Sequence, residues 1–202
     1  MAGSRIMTLS SLLDRARLLV EALVFASPEP VKSAAIAELL KAQSVNVPVE
    51  DALQAVQERY RDHAIEMVLV AGGWQFRTRS EFASALTKVV EKPRRLSRGA
   101  METLAIIAYH QPCTRAEIEA IRGVSLGQPI LDALLEDSLI APKGRKDVPG
   151  RPVLWGTTAG FLESFGLPDL GALPRREDFL LDRAPTEVEE DVSAVGVTEQ
   201  TG

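Results

Sequence analysis

Few residues in this sequence have the types and spacing that catalysis requires. The chain has two histidines, His63 and His110, and neither lies in an HExxH pattern or beside a nucleophile. We expect both at the surface or at a helix end. The single cysteine, Cys113, follows Pro112 in a predicted turn and is expected to be a small buried side chain. The sequence therefore predicts a protein that is not an enzyme.

Sites for metals, cofactors and disulfides are equally unsupported by the pattern. One cysteine excludes an internal disulfide and a cysteine metal cluster, and no other metal-ligand spacing occurs. Gly72-Gly73 joins two predicted strands, so no helix N-terminus follows it to hold a phosphate. We expect no metal and no cofactor.

Two basic stretches are the main charged features. Their basic residues are Lys88, Lys92, Arg94, Arg95 and Arg98 in the first, and Lys143, Arg145, Lys146 and Arg151 in the second. Each stretch is either simply solvated, or contacts DNA weakly and without specificity, or docks an acidic partner. In the second stretch, Asp147 lies between oppositely charged neighbours and is expected to pin the loop locally.

Hydrophobic periodicity predicts three helices, a β-hairpin with a tight turn at Gly72-Gly73, and a further helix. These elements are expected over residues 12–24, 33–40, 48–60, 65–70, 74–77 and 80–90. Ser33 is the expected N-cap of the second helix. The first element has apolar residues on one face and stops before Pro28 and Pro30.

The same order repeats at an offset of about 80 residues. Ser97 is expected to cap the first helix of this second set, Thr114 and Glu117 form a capping box for the next, and Thr158 caps the last. The strands are expected at Leu139–Ala141 and Val153–Trp155. The inward helix faces are expected at Met101, Leu104, Ala105, Ala108, Ile118 and Ile121.

This pattern predicts a mainly helical α+β fold of two tandem winged-helix domains. The expected boundaries are residues 1–91 for the N-terminal domain, 92–97 for a linker, 98–174 for the C-terminal domain and 175–202 for a disordered acidic tail. No apolar run approaches the roughly 18 residues that a membrane span needs, and Met1–Ser11 does not read as a signal peptide. We expect a soluble cytoplasmic protein.

The third helix of each predicted domain has the wrong charge for the usual docking of a winged helix on DNA. The first exposes Glu50, Asp51 and Glu58, and the second exposes Asp132, Glu136 and Asp137. Carboxylates on these helices would be repelled by phosphates. The formal net charge of the chain, −5, agrees with this.

The second half of the chain resembles a known bacterial family. The stretch Glu102–Tyr109, then Gln111-Pro112, Thr114–Glu119 and Ile121–Val124, is similar to the signature of segregation and condensation protein B. The stretch Gly144–Pro152, running on to Gly156-Thr157-Thr158, Phe161-Leu162 and Phe165-Gly166-Leu167, resembles it too. In the first half Glu21-Ala22-Leu23, Phe25-Ala26 and Gly72-Gly73 agree more loosely.

The resemblance implies a non-catalytic subunit of the bacterial condensin complex that promotes chromosome condensation and segregation during cell division. It implies a homodimer formed largely through the N-terminal domain. It also implies binding to the kleisin subunit, segregation and condensation protein A, which bridges the ATPase heads of the structural-maintenance-of-chromosomes dimer. The association with that ATPase is then indirect, the location is at the nucleoid, and DNA contact is at most weak and non-specific.

Residues for the two implied interfaces are expected within the matching stretches. Kleisin binding is expected at Tyr109, Arg115, Glu119, Arg122, Arg145, Asp147 and Arg151, which are polar or aromatic there. Self-association is expected at Trp74 and Phe76, the aromatics of the first hairpin. The turn Ser125–Pro129 departs from the acidic pattern of the family, and Leu126 is expected to be exposed there.

One alternative of another class stays open at this point. A winged-helix transcription regulator would use the basic linker and the basic loop to bind a defined operator in a salt-sensitive manner. The acidic third helices argue against it.

Overall fold

A computed structural model describes residues 9–86 and 96–175 of the chain. The fold is mainly helical with two small β-sheets. The described residues from 9 to 172 belong to one compact unit, and residues 173–175 belong to a second. Residues 9–86 are called the first half below, and residues 96–172 the second half.

The first half contains three helices, a hairpin and two short helical turns. These are α1 (Leu9–Ala26), α2 (Ser33–Ala42), α3 (Val49–Arg59), β1 (Ile65–Val70), β2 (Gly73–Thr78), a 3₁₀ turn (Ser80–Phe82) and α4 (Ala83–Leu86). The predicted order of elements is confirmed. The remainder of the helix expected over 80–90, and the linker residues 92–95, lie outside the described residues.

The second half repeats this order with one addition. Its elements are α5 (Arg98–His110), β3 (Cys113–Thr114), α6 (Arg115–Arg122), α7 (Gln128–Glu136), β4 (Ile140–Arg145), β5 (Val153–Thr157), α8 (Ala159–Phe165) and a 3₁₀ turn (Leu170–Ala172). The short strand β3 pairs antiparallel with β5, so the sheet order is β3-β5-β4. Sequence periodicity missed this strand because two residues carry no measurable alternation. The expected acidic tail from residue 176 onwards lies outside the described residues.

The core of the first half is formed by α1, α2, α3 and the inner face of the hairpin. Ala16 and Val20 of α1, Ile36 of α2, Val56 of α3 and Met67 of β1 are all at most 3% exposed. Their burial removes apolar side chains from water, which is the main source of stability for such a unit.

The hairpin turn differs from the expected one by a single residue. The turn residues are Ala71 and Gly72, both with positive φ, and Gly73 already belongs to β2, opposite Val70. Two-residue turns with positive φ at both positions match the twist of the strands. Gly73 is needed for another reason, because a Cβ there would lie 2.7 Å from the main chain of Pro30.

The inward faces of α5 and α6 also differ from the expected ones. Met101, Ala105 and Ile121 are exposed, whereas α5 packs through Leu104, Ile107 and their neighbours. Thr103 joins that buried face because its hydroxyl donates to the Gly99 carbonyl at 2.8 Å. A hydroxyl that forms a hydrogen bond can be buried at little cost. Thr103 can therefore lie in the buried face of α5, where an apolar residue was expected.

Three of the four expected helix caps are confirmed. Ser97 accepts from the Ala100 amide, Thr158 accepts from the Phe161 amide, and α6 has the complete capping box. The expected cap at Ser33 is wrong, since Lys32 occupies the N-cap position of α2. The Ser33 hydroxyl instead accepts from the indole Nε1 of Trp74 at 3.3 Å.

Candidate partner-binding surfaces

Arg115 holds the turn between α6 and α7. Its Nε donates to Glu119 Oε1 at 3.1 Å, its Nη1 donates to Gln128 Oε1 at 3.2 Å, and its Nη2 donates to the Leu126 carbonyl. Glu119 Oε1 also accepts from the Leu126 amide at 2.8 Å. That amide and the Arg115 guanidinium lower the pKa of Glu119. Arg115 and Glu119 therefore act together, and they fix the backbone of the turn.

The side chain of Leu126 is buried and not exposed as expected. It is only 1% exposed, while Arg115 and Glu119 hold its carbonyl and its amide from the outside. The apolar residue in this turn is therefore an anchor for the core of the second half. The surface of the turn is formed by polar groups together with the exposed Val124.

The wing, defined as β4, β5 and the loop 146–152, is tied to the start of α6. Lys146 Nζ donates to Glu117 Oε1 at 2.6 Å, and Glu117 Oε2 accepts from the amide of Thr114 at 2.7 Å. The hydrogen bond from Lys146, then those from Thr114, lower the pKa of Glu117 to about 2. The capping carboxylate of α6 is thus also the anchor of the wing, a role that sequence reasoning did not assign to it.

The wing loop is ordered by main-chain acceptors. Arg145 Nη1 donates to the Arg151 carbonyl at 3.0 Å, and the amides of Lys146 and Arg151 donate to the carbonyls of Pro152 and Val148. The expected local pin by Asp147 is wrong, because Lys146 pairs with Glu117 and, among the described residues, Asp147 takes no ion pair. The structure brings Arg145 and Arg151 together and leaves their charges at the surface.

Tyr109 lies near the end of α5, where its side chain is 50% exposed. The end of this helix is attached to β5, because Gln111 Oε1 accepts from the Thr157 amide at 2.7 Å. Tyr109 is therefore a half-exposed aromatic ring on a fixed backbone, which is a common property of residues that anchor protein interfaces.

Arg122 is placed differently from the other predicted contact residues. Its side chain is only 9% exposed and lies across α5, where it reaches Glu102 at 3.7 Å. Gly99 lies beside it, since a Cβ there would be in van der Waals contact with Arg122 Nη2 at 3.4 Å. Its Nε and Nη1 are buried without a hydrogen-bond partner in residues 9–86 and 96–175. This side chain contributes little to the surface.

Trp74 and Phe76, the two aromatics expected at a dimer interface, are both partly buried against the core of the first half. Trp74 bonds to Ser33, and its main chain pairs with Val31. The Phe76 ring packs on Tyr60 with a centroid distance of 4.8 Å. The tryptophan is therefore mainly a structural residue, while one edge of Phe76 remains at the surface.

Phe76 is part of a wider exposed apolar surface that was not predicted from the sequence. We call it the apolar face and define it as Leu18, Ala22, Phe25, Ile65 and Phe76. Together with Glu21 and Tyr60, these residues line a shallow pocket of about 400 Å³. The most exposed member is Phe25, at 82%. The signal was present in the sequence, since Leu18, Ala22 and Phe25 recur at helical spacing on a second face of α1.

The polar groups beside the apolar face are paired with one another. The Tyr60 hydroxyl donates to Glu21 Oε1 at 2.8 Å, and Arg17 Nη1 donates to Glu21 Oε2 at 3.2 Å. Burial, and then the hydrogen bond to Glu21, raise the pKa of Tyr60. The apolar face can therefore be covered without leaving these polar atoms unsatisfied.

The two histidines and the cysteine are placed as expected. His63 and His110 are exposed, and Cys113 is 2% exposed. Burial, followed by the nearby Glu117, raises the pKa of the Cys113 thiol, which disfavours the reactive thiolate. In the part of the chain that the structure describes, no group of three or more His, Cys, Asp or Glu side chains is arranged to hold a metal. None of the described helices is both long and apolar enough to cross a membrane.

The third helices present carboxylates, as the sequence predicted. Glu50, Asp51 and Glu58 of α3 are exposed, as are Asp132 and Glu136 of α7. A negative surface on the helix that would enter the major groove is unfavourable for DNA binding. This observation does not favour the transcription regulator.

Comparison with known proteins identifies the family to which this chain belongs. A family model described as "Segregation and condensation complex subunit ScpB" matches residues 18–176. The chain belongs to this family. The ScpB family is named for segregation and condensation of the chromosome, so the resemblance noted in the sequence is confirmed.

Individual relatives agree with the family match. The chain is 44% identical to segregation and condensation protein B of Desulforamulus reducens over 175 residues, which cover 84% of this chain and 93% of the relative. A homolog from Coxiella burnetii is 38% identical over 165 residues, covering 80% and 79% of the two chains. Among solved structures, ScpB from Mycobacterium tuberculosis is 33% identical, with 77% of this chain and 97% of that chain covered and a TM-score of 0.35.

Proposed function

We propose that this chain is a non-catalytic subunit of the bacterial condensin complex that binds the kleisin subunit, segregation and condensation protein A. Through the kleisin it associates indirectly with the structural-maintenance-of-chromosomes ATPase, in the cytoplasm and at the nucleoid. The observation that carries this proposal is the family match over residues 18–176. The ordered, charged surface of the second half supports it.

Each half is proposed to be a winged-helix domain. In both halves three helices are followed by a hairpin, and the hairpin of the second half forms a wing. The proposed boundaries are residues 1–91 and 98–174, joined by 92–97, with the acidic stretch 175–202 beyond them. Because the third helices are acidic, these domains are proposed to bind protein chains.

Kleisin binding is proposed for the surface formed by the wing, the start of α6 and the end of α5. Tyr109 provides an exposed aromatic ring, and Arg145 and Arg151 provide exposed positive charges on a loop that main-chain bonds hold in shape. A preformed loop loses less conformational entropy on binding than a mobile one. Asp147 adds a charge of the opposite sign, which would help select one orientation of the partner.

The test is isothermal titration calorimetry with the kleisin of the same organism. Charge reversal of the wing in Arg145→Glu/Arg151→Glu is expected to raise the Kd by about tenfold or more, which is roughly 1.4 kcal/mol. The matched control is Arg59→Glu/Arg61→Glu, the same change of charge on exposed residues of the first half. An unchanged Kd in the wing variant would remove the wing from the interface. Absence of binding by the native chain would refute the proposed function.

Self-association is proposed for the apolar face of the first half. Exposed apolar side chains that are grouped in this way often mark an interaction site. A two-fold dimer brings the same patch of two chains together, so the exposed Phe25 of each chain would be covered by the other. This shifts the dimer contact from Trp74 to α1 and leaves Phe76 at its edge.

Sedimentation velocity tests the dimer. Phe25→Glu would place a charge within the covered surface, and we expect a monomer where the native chain is a dimer. Val124→Glu is the matched control, because Val124 is also an exposed apolar residue but lies in the second half. A dimeric Phe25→Glu variant would show that the apolar face is not the interface.

A further inference from the structure

The turn of the first hairpin contacts the second half through its main chain. In a two-residue turn, the amides of the two turn residues have no partner within the strand ladder. Here the Ala71 amide donates to the Leu167 carbonyl and the Gly72 amide donates to the Pro168 carbonyl, each at 2.9 Å. Both otherwise unpaired donors are therefore satisfied by the segment that follows α8.

One side chain of β2 strengthens this contact. Arg77 Nη2 donates to the Glu163 carbonyl in the last turn of α8, while its Nε donates to Gln75 Oε1 at 3.2 Å. Carbonyls at a helix C-terminus lack partners inside the helix, and the helix dipole favours a positive charge there. Arg77 thus caps a helix that belongs to the other half of the chain.

Gly166 makes this geometry possible. It ends α8 with a φ of +67°, and the Leu167 amide bonds back to the Leu162 carbonyl at 2.8 Å. The chain is thereby directed from α8 to the hairpin turn. A Cβ at Gly166 would lie 3.2 Å from Arg77 Nη1, so a side chain there would crowd the guanidinium.

Few hydrogen bonds form this contact, whereas many buried side chains form the core of each half. The contact comprises two main-chain bonds and one guanidinium bond, whereas each half has its own buried apolar residues. Within a compact unit, a small set of polar contacts between two regions that each have their own core opens more readily than those cores unfold. We propose that Ala71, Gly72, Arg77 and the segment Leu167-Pro168 form a latch that holds the two halves in one orientation and opens as a unit while both halves stay folded.

The latch gives the two binding surfaces a defined relation to each other. When closed, it fixes the direction of the wing and α6 relative to the apolar face. That these two surfaces bind partners rests on the proposed function, whereas the latch itself does not. The latch is tested on the full chain alone, without kleisin, so its failure would leave kleisin binding untouched.

Amide hydrogen exchange, followed residue by residue by NMR, tests the latch directly. After correction for intrinsic rates, the Ala71 and Gly72 amides are expected to exchange at least about tenfold more slowly than the Asp147 amide in the exposed wing loop. In Arg77→Ala both amides are expected to exchange about threefold or more faster, and by the same factor. The amides of the β1–β2 ladder are expected to keep their protection.

Arg61→Ala is the matched control, since Arg61 is an exposed arginine of the first half whose side chain pairs with the nearby Glu58. Gly166→Ala is the second variant, in case Arg77→Ala fails to fold, and it is expected to accelerate the same two amides. Ala71 and Gly72 amides that exchange as fast as Asp147 in the native chain would overturn the proposal. So would unchanged protection in the folded variants.

Discussion

The two halves share an order of elements but expose different surfaces. In the first half, Phe25 and Leu18 of α1 lie in the open beside a shallow apolar pocket. In the second half, Arg115, Glu119 and Lys146 are each held by defined polar partners. Exposed apolar surface favours a lasting contact that excludes water, whereas a pre-ordered charged surface favours selection of one partner. One element order thus presents two kinds of surface.

The largest expected effect is a difference in the free energy of unfolding between two aromatic substitutions in the first half, one at a packed ring and one at an exposed ring. Trp74→Ala is expected to lower the free energy of unfolding by about 2–4 kcal/mol, because the indole packs on the core and bonds to Ser33. Phe25→Ala is expected to change it by less than about 0.5 kcal/mol, since an exposed ring loses little packing. Urea unfolding measures both, at a protein concentration low enough for the native chain and both variants to be monomeric. Equal losses would contradict the assignment of Trp74 to the core and Phe25 to the surface.

The next effect concerns the polar anchoring of the second half. Arg115→Ala is expected to cost about 1–2 kcal/mol, because three hydrogen bonds that hold the α6–α7 turn are lost. Arg98→Ala is the matched control, as Arg98 also pairs with a glutamate four residues later but is 94% exposed. Its cost is expected to stay below about 0.5 kcal/mol. Indistinguishable values from thermal unfolding would mean that the Arg115 network contributes nothing beyond an ordinary surface ion pair.

The smallest effect is a pH dependence of the link between the wing and α6. The pKa of Glu117 is about 2 in the folded chain, below its ordinary value of 4.5, so its contribution to stability is complete above about pH 4.5 and is lost as the pH falls towards 2. At pH 7, Glu117→Gln is expected to be less stable by about 1 kcal/mol, a modest value because the pair is partly exposed.

The difference between the native chain and Glu117→Gln should shrink below pH 4.5 and vanish near pH 2. Thermal melts across this range measure this difference. Lys146→Met supplies the control, because the stability loss of the double variant Glu117→Gln/Lys146→Met should be smaller than the sum of the two single losses. A difference that stays constant with pH would exclude the carboxylate charge as the cause.

Local signals in the sequence predicted the order of elements and most of the caps. Thr114 and Glu117 lie three residues apart at a helix start, and their reciprocal hydrogen bonds depend on nothing distant. The strand alternation around the first turn is equally local. The position of that turn was predicted one residue too late, because the close approach of Pro30 to Gly73 is a tertiary contact.

Surface assignments could not be predicted as well, for the same physical reason. Periodicity shows which residues share a helix face but not which face a neighbouring element covers. It therefore placed Met101 inside, whereas α5 packs through another face. The departure of the α6–α7 turn from the family pattern led to an exposed Leu126 being expected, whereas the turn inserts this leucine into the core. Arg122 belongs to the same class, since only the fold shows that it lies across Gly99.

The proposal that the first half dimerises and the second half binds the kleisin is tested most directly by one mass measurement on two variants mixed with the kleisin. Light scattering after size-exclusion chromatography would be recorded for Phe25→Glu and for Arg145→Glu/Arg151→Glu. We expect the first variant to be a monomer that still binds the kleisin, and the second to be a dimer that binds it poorly. If Phe25→Glu stays dimeric, or if the wing variant retains full kleisin binding, the assignment of dimerisation to the first half and kleisin binding to the second half is wrong.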